Sequence, residues 1–317
     1  MNCCSPGRGD GVGAGQASGV DHESGAASAP GQRGAGGAHP ISVAEVPGGR
    51  FEMGDAFDEG YRADGELPVH EVTLSAFDID VTTVTNAAFE AFVADTGYRT
   101  DAERFGSSAV FAAYVTDGAM GTTVPGTPWW IDVPGAQWAA PYGPSSDLTD
   151  RSDHPVVHVS QRDALAYCDW AGRTLPTEAQ WEYAARGGQA GARFPWGDEH
   201  PGSDDLRCNI FVGTFPDKPT APVGTVPAES YAPNGFGLYQ MVGNVWEWCA
   251  DRFSARAYRR AERLDPRGPE RGNAVVLRGG SHLCHDSYCY RYRVAARSHN
   301  TPDSSASNVG FRTVSPR

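Results

Sequence analysis

Leu277-Arg-Gly-Gly-Ser281-His282-Leu-Cys284-His285-Asp286-Ser-Tyr288-Cys289-Tyr-Arg291-Tyr-Arg293 is the stretch on which the reading of this 317-residue chain turns. Two cysteines stand five positions apart, with two histidines and two serines around them. Spacing alone leaves four outcomes open. Zinc ranks first, because two thiols with His282 or His285 approach the Cys/His ligand set of a structural zinc site. No joint role ranks second and a disulfide third. A soft ion such as Cu(I), which prefers thiolates and low coordination, ranks last. Arg278, Arg291 and Arg293 flank the pair and are expected to lower the thiol pKa values.

A second segment lies some thirty residues upstream, Asn234-Gly-Phe-Gly-Leu-Tyr239-Gln240-Met-Val-Gly243-Asn244-Val245-Trp246-Glu247-Trp248. Glycines bend the chain, and a carboxylate follows between two indoles. Such a glutamate reads first as a capped or solvated residue. The alternative is an oxygen cage of carbonyls, amide and carboxylate, the kind calcium selects. Cys208-Asn209-Ile210 offers the same alternative.

Between these segments the chain predicts few regular elements. Val43–Val46 and Phe51–Met53 read as strand, turn, strand, and Val69–Leu74 alternates like another strand. Thr85 is expected to cap a helix carrying Phe89, Phe92 and Val93 and stopped by Gly97. Ser160 with Asp163, and Thr177 with Gln180, read as capping boxes of two further helices, ended by Gly172 and Gly187. His154-Pro155 predicts an extended lead into a strand over Val156–Val159. The rest is short strands and long loops punctuated by 39 Gly and 23 Pro. The buried backbone of such a body needs partners beyond ladders, namely side chains, water or ions. His70, His154 and His158 read as satisfied imidazoles rather than ligands, and Asp55, Asp58, Glu59 and Asp64 as a solvated loop.

Composition narrows the function. Asp and Glu total 39 against 26 Lys and Arg, a net charge of −13. That argues against a general nucleic-acid binder, which needs a basic surface. No apolar run is long enough to span a membrane, and no apolar segment of a secretory signal is seen near the start. The seven cysteines are odd in number and mostly isolated, which is not a disulfide framework. Residues 1–40 hold 11 glycines and no Phe, Trp, Tyr, Leu or Ile. They are expected to form a disordered extension, with Cys3 and Cys4 as solvated thiols. Residues 41–317 read as one domain. Phosphate-binding loops, dinucleotide fingerprints, nucleophile elbows and His-Glu-x-x-His zinc helices are missing.

The chain resembles the formylglycine-generating enzymes, the sulfatase-modifying factor family, over about residues 43 to 313. Landmarks are Pro47-Gly-Gly-Arg-Phe-Glu-Met-Gly54, Val84-Thr-Asn86, Ala102-Glu-Arg-Phe-Gly106, Pro128-Trp-Trp130, His154-Pro-Val-Val-His-Val159, Leu175-Pro-Thr-Glu178 and Gly243-Asn-Val-Trp-Glu-Trp248. The discriminating signature is Gly279–Arg293, followed by Ala295-Ala-Arg-Ser298, Asn300-Thr-Pro-Asp-Ser-Ser305 and Gly310-Phe-Arg312. The resemblance implies an α+β, loop-rich single domain of low regular secondary structure, related to C-type lectin-like folds. It also implies oxidation of a cysteine in a Cys-x-Pro-x-Arg stretch of an unfolded or nascent sulfatase to Cα-formylglycine, with O2 and a thiol reductant.

By the same resemblance Cys284 and Cys289 match the Cu(I)-binding thiolates, Ser281 the serine beside the copper, and Trp246 the tryptophan lining the reaction pocket. Tyr288 and Arg291 are matched as supporting partners. Gln240, Gly243, Val245 and Glu247 match a structural calcium site, with Gln240 where relatives carry Asn. Asn209, Ile210 and Asp217 match a second calcium site whose usual acidic loop is shortened. Positions that pair with cysteines like Cys168 in secretory relatives are Val294 and Thr313 here, which implies a reducing, cytoplasmic home. A monomer with no nucleic-acid or membrane partner is expected. The competing reading is a non-catalytic lectin-like binding module with a structural Cys pair.

Overall fold

Glycine and proline keep the regular elements short: among the described residues no helix exceeds eleven residues and no strand exceeds seven. The computed structural model describes residues 6–7, 39–115, 121–202 and 205–317. The chain runs β1 (Val43–Val46), β2 (Gly49–Met53), β3 (His70–Leu74), β4 (Phe77–Asp80), α1 (Asn86–Thr96), α2 (Asp101–Phe105) and β5 (Ser107–Phe111). It continues through β6 (Thr122–Thr123), β7 (Trp130–Pro134), α3 (Gln161–Ala171), α4 (Glu178–Arg186), β8 (Gly213–Thr214) and β9 (Lys218–Pro219). It ends with β10 (Trp246–Arg252), β11 (Val275–Arg278), β12 (Arg297–Asn300), β13 (Val309–Gly310) and β14 (Val314–Pro316). This is the mixed, loop-rich, single-domain architecture expected.

The central sheet is ordered β12-β11-β10-β13, antiparallel except for the β10–β13 pair. A second sheet, β1-β4-β14, ties the start of the domain to its end. The central sheet uses four successive strands, whereas the second joins strands far apart in sequence. Trp181, Trp246 and Trp248 lie fully buried where α4 and β10 meet, within one continuous hydrophobic core. Fully burying each large apolar side chain contributes roughly 1.5–3 kcal/mol.

The three expected helices form with the expected caps. Thr85, Ser160 and Thr177 accept from Ala88, Asp163 and Gln180 backbone N–H groups, and Gly97, Gly172 and Gly187 end the helices in left-handed conformation. Two expectations are corrected. The strands β1 and β2 both form, but each pairs into a different sheet. Residues 156–159 do not form a strand: His158 takes a left-handed φ of 59°, and its N–H donates to Ala306 O. The one-turn α2 was missed, although Thr100 and Glu103 form a full capping box.

His39 and Pro40, ahead of Ile41, fall within the described residues. His39 Nε2 stands 2.7 Å from Asp80 Oδ1. Of the expected disordered extension, only Pro6, Gly7, His39 and Pro40 fall within the described residues, and Pro6 is buried. Cys3 and Cys4 lie outside them.

Candidate active site

Two tight turns fold the signature stretch back on itself. Cys284 N–H donates to Ser281 O at 2.8 Å, closing the first. Tyr288 and Cys289 N–H groups donate to His285 O at 3.0 and 2.7 Å, closing the second. Gly279 and Gly280, at φ 93° and 73°, lead into them. A Cβ on Gly280 would stand 2.8 Å from Arg291 O, so only glycine lets the loop close there. The result is a pair of buried thiols, not joined as a disulfide, with Sγ atoms 3.1 Å apart. That is well beyond a disulfide's ~2.05 Å.

Ser281 sits beside them. Its N–H donates to Cys284 Sγ at 3.4 Å, and its hydroxyl accepts from Asn308 Nδ2 at 3.0 Å. A narrow cleft opens onto both sulfurs, lined by Ser281, Leu283, Tyr288, Trp129, Trp130 and Phe215. Tyr288 stacks on Phe215 at 4.4 Å between centroids and meets Trp129 edge-on at 4.7 Å. Among the described residues a larger cavity exists around Tyr258 and residues 251–270, but it reaches neither thiol. The paired sulfurs lie in the narrower cleft.

The loop's ends are tied by buried ion pairs. Arg278, where β11 leaves for the loop, reaches Glu178 at 3.1 Å and Glu182 at 2.6 Å. Arg297, where the chain returns in β12, makes a two-pronged pair with Glu178 at 2.5 and 2.9 Å. Arg293 forks onto Glu66, and Arg291 Nε reaches Asp64 at 2.5 Å. The expectation that three arginines lower the thiol pKa values is therefore corrected. Arg278 and Arg293 are spent on carboxylates, and only Arg291 Nη1 approaches a thiol, 3.9 Å from Cys289 Sγ. Burial and the neighbouring sulfur push the Cys284 thiol well above its ordinary range.

The acidic loop is corrected too. Asp55 is buried and accepts from the N–H groups of Phe57, Glu59 and Gly60, and Asp64 is buried against Arg291. Glu59 stays exposed but pairs with Arg193, and Asp58 stays exposed, as expected. Asp64, Glu66, Trp129 and Phe215 were missed as site residues. The signal for the acids was available: four arginines between residues 278 and 297 needed buried carboxylates.

A profile described as "Sulfatase-modifying factor enzyme 1-like domain" matches residues 37–316. The chain belongs to this family. It is 61% identical over 272 residues to the formylglycine-generating enzyme of Streptomyces coelicolor, covering 84% of this chain and 87% of the relative. Identity to the Thermomonospora curvata enzyme of the same name is 57% over 275 residues, covering 84% and 91%. The solved structure of PvdO from Pseudomonas aeruginosa superposes with a TM-score of 0.60 at 26% identity, covering 86% of this chain and 93% of that one.

The remaining residues expected from the sulfatase-modifying factor family divide as follows. Trp246 is fully buried in β10, its backbone N–H donating to Asn308 O, and its indole is not among the side chains lining the cleft. Glu247 is buried and accepts from Arg312 Nε, Arg312 Nη2 and Trp181 Nε1 at 2.7, 2.8 and 2.8 Å. It is neither a cap nor solvated. A carboxylate has about four lone-pair sites, so one on Oε1 stays open. Among the described residues, Gln240 Oε1 is a buried acceptor without a hydrogen-bond partner. Gly243 packs against Asn209, whose side chain donates to Asn244 Oδ1 and Gly224 O. Asp217 is exposed in the turn between β8 and β9, apart from the buried Asn209 and half-buried Ile210. Among the described residues no three His, Cys, Asp or Glu side chains cluster as metal ligands. His282, whose Nδ1 meets Asn244 O at 2.7 Å, is held neutral by burial, its pKa pushed down to about 4.

Proposed function

We propose that this enzyme oxidises a cysteine of a sulfatase polypeptide, within a Cys-x-Pro-x-Arg stretch, to formylglycine at a copper ion held by Cys284 and Cys289. The family membership supports the sulfatase activation. The single observation that carries the site is the facing pair of buried thiols at the foot of an aromatic cleft. Two soft donors without a carboxylate or a converging imidazole suit Cu(I) better than zinc, which wants four ligands.

Bound there, the metal supplies the electron-transfer chemistry by which O2 is reduced beside the substrate sulfur. The chain's own residues do the rest. Trp129, Phe215 and Tyr288 wall the cleft with rings and keep water from the reacting carbon. Ser281 is fixed by Asn308 and holds the turn that aims Cys284. Arg291, anchored by Asp64, brings positive charge to 3.9 Å from Cys289 Sγ. The overall change turns CH2SH, O2 and two hydrogens from a thiol reductant into an aldehyde, hydrogen sulfide and water.

Gln240, Gly243, Val245 and Glu247 are assigned to a structural calcium ion. The open acceptor of Gln240 and the remaining lone pair of Glu247 support that set. Asp217 stands too exposed to support the second site.

The test is conversion of a Cys-x-Pro-x-Arg peptide followed by mass spectrometry, with and without added copper. Cys284→Ala and Cys289→Ala are each expected to abolish conversion. Full activity in either variant overturns the assignment.

A further inference from the structure

Pro6 has no reason of its own to be buried in this molecule. It belongs to a stretch of 40 residues that lacks large apolar side chains. Yet Pro6 is buried, and its carbonyl accepts a hydrogen bond of 3.2 Å from Asn300 Nδ2. Asn300 is itself buried, at the end of β12. The chain from Asn300 runs on to Asn308, whose side chain donates to Ser281 Oγ beside the thiols. Pro6 is therefore held by the same stretch that fixes the reactive loop.

The sequence around it reads Cys4-Ser5-Pro6-Gly7-Arg8. Of the seven cysteines in the chain, only Cys4 has proline two positions on and arginine four positions on. This is the Cys-x-Pro-x-Arg pattern of the proposed substrate. Proline suits such a role physically: its φ is preset, and it brings no N–H that a buried site must satisfy. An asparagine amide donating to its carbonyl reads backbone, which a sulfatase peptide would offer equally.

We infer that the enzyme's own N-terminal stretch is a substrate of its site, and that Cys4 is converted to formylglycine. The inference rests on the proposed function above. The Cys4 side chain CH2SH, with O2 and two thiol molecules, gives CHO, hydrogen sulfide, water and one disulfide from the two thiols. A tethered substrate meets its site at a high effective concentration, so the reaction is first order and independent of protein concentration.

The experiment uses the full-length, copper-loaded protein with thiol reductant in air, and an external Cys-x-Pro-x-Arg peptide in the same tube. Mass spectrometry and a hydrazide label read the aldehyde in the N-terminal tryptic fragment and in the peptide. Labelling at Cys4 but not Cys3, at a rate unchanged on dilution, is expected. Cys4→Ser removes the N-terminal label and leaves peptide conversion intact. Pro6→Ala lowers self-conversion by about tenfold, the effect of ~1.4 kcal/mol of lost binding. Conversion of the external peptide with Cys4 remaining a thiol overturns this inference and leaves the proposed function standing. Failure of both peptide and Cys4 overturns the proposed function and this inference with it.

Discussion

Single side chains in this protein do jobs that their sequence neighbours do not reveal. Tyr288 was matched only as a supporting partner, yet it lines the cleft between Phe215 and Trp129. Tyr288→Ala is expected to raise KM for a Cys-x-Pro-x-Arg peptide by about tenfold with a smaller change in kcat, whereas Tyr288→Phe retains binding. Steady-state kinetics on the three proteins checks this. His158 is a second case. Its ring is buried between Ser108 Oγ and Pro141 O, each at 2.8 Å, and burial pushes its pKa down to about 4. An unfolded histidine takes a proton near 6.5, so the folded state resists protonation through that window. Its contribution is complete above about 6.5 and is lost as pH falls toward 4. Compared with His158→Gln, the wild type should lose about 3 kcal/mol more stability from neutral pH to about 4. Urea unfolding at the two ends measures the difference.

At the scale of elements, α4 is the part on which the reactive loop hangs. Its N-terminus was legible because a capping box is a local pattern: Thr177 and Gln180 are three residues apart and bond each other's backbone. What its acids do was not legible. Glu178 grips Arg278 and Arg297, 100 and 119 residues away in the chain, and Glu182 grips Arg278 and Arg186. Removing the cap by Thr177→Ala should cost about 1 kcal/mol. Arg297→Ala leaves Glu178 buried with one partner fewer and should cost about 3–5 kcal/mol. Thermal and urea unfolding of both variants test the ranking, and a smaller loss for Arg297→Ala than for the cap would contradict it. The expected strand over residues 156–159 failed for a related reason. Its β-branched valines fit a strand, but long-range bonds to Val84 and Ala306 take the backbone, and His158 turns left-handed to meet them.

Across the whole molecule, cohesion comes from contacts between distant segments more than from long ladders. Four fully buried arginines, at 278, 293, 297 and 312, each find carboxylates from other elements. Glu247 with Arg312 joins the calcium-matched loop to β14's approach, so removing the proposed calcium should loosen the sheet edges as a unit. Chelation by EGTA is expected to lower Tm by several degrees, restored by calcium, and elemental analysis of the dialysed protein checks for the ion itself. No change in Tm and no bound calcium would refute the site. The amino-acid sequence alone determined the loop-rich α+β class, the three longest helices with their caps, and the two cysteines on which the proposed chemistry rests. Those are set by local spacing, by residue type and by the motif that carries the family resemblance. Only the tertiary structure decided that the thiols face each other at 3.1 Å and that Asp64 and Glu66 anchor their loop. It alone seated Pro6 on Asn300. Pairings across more than two hundred residues depend on how the whole chain closes, and no periodicity or spacing in a linear sequence encodes which carboxylate a given buried arginine will meet.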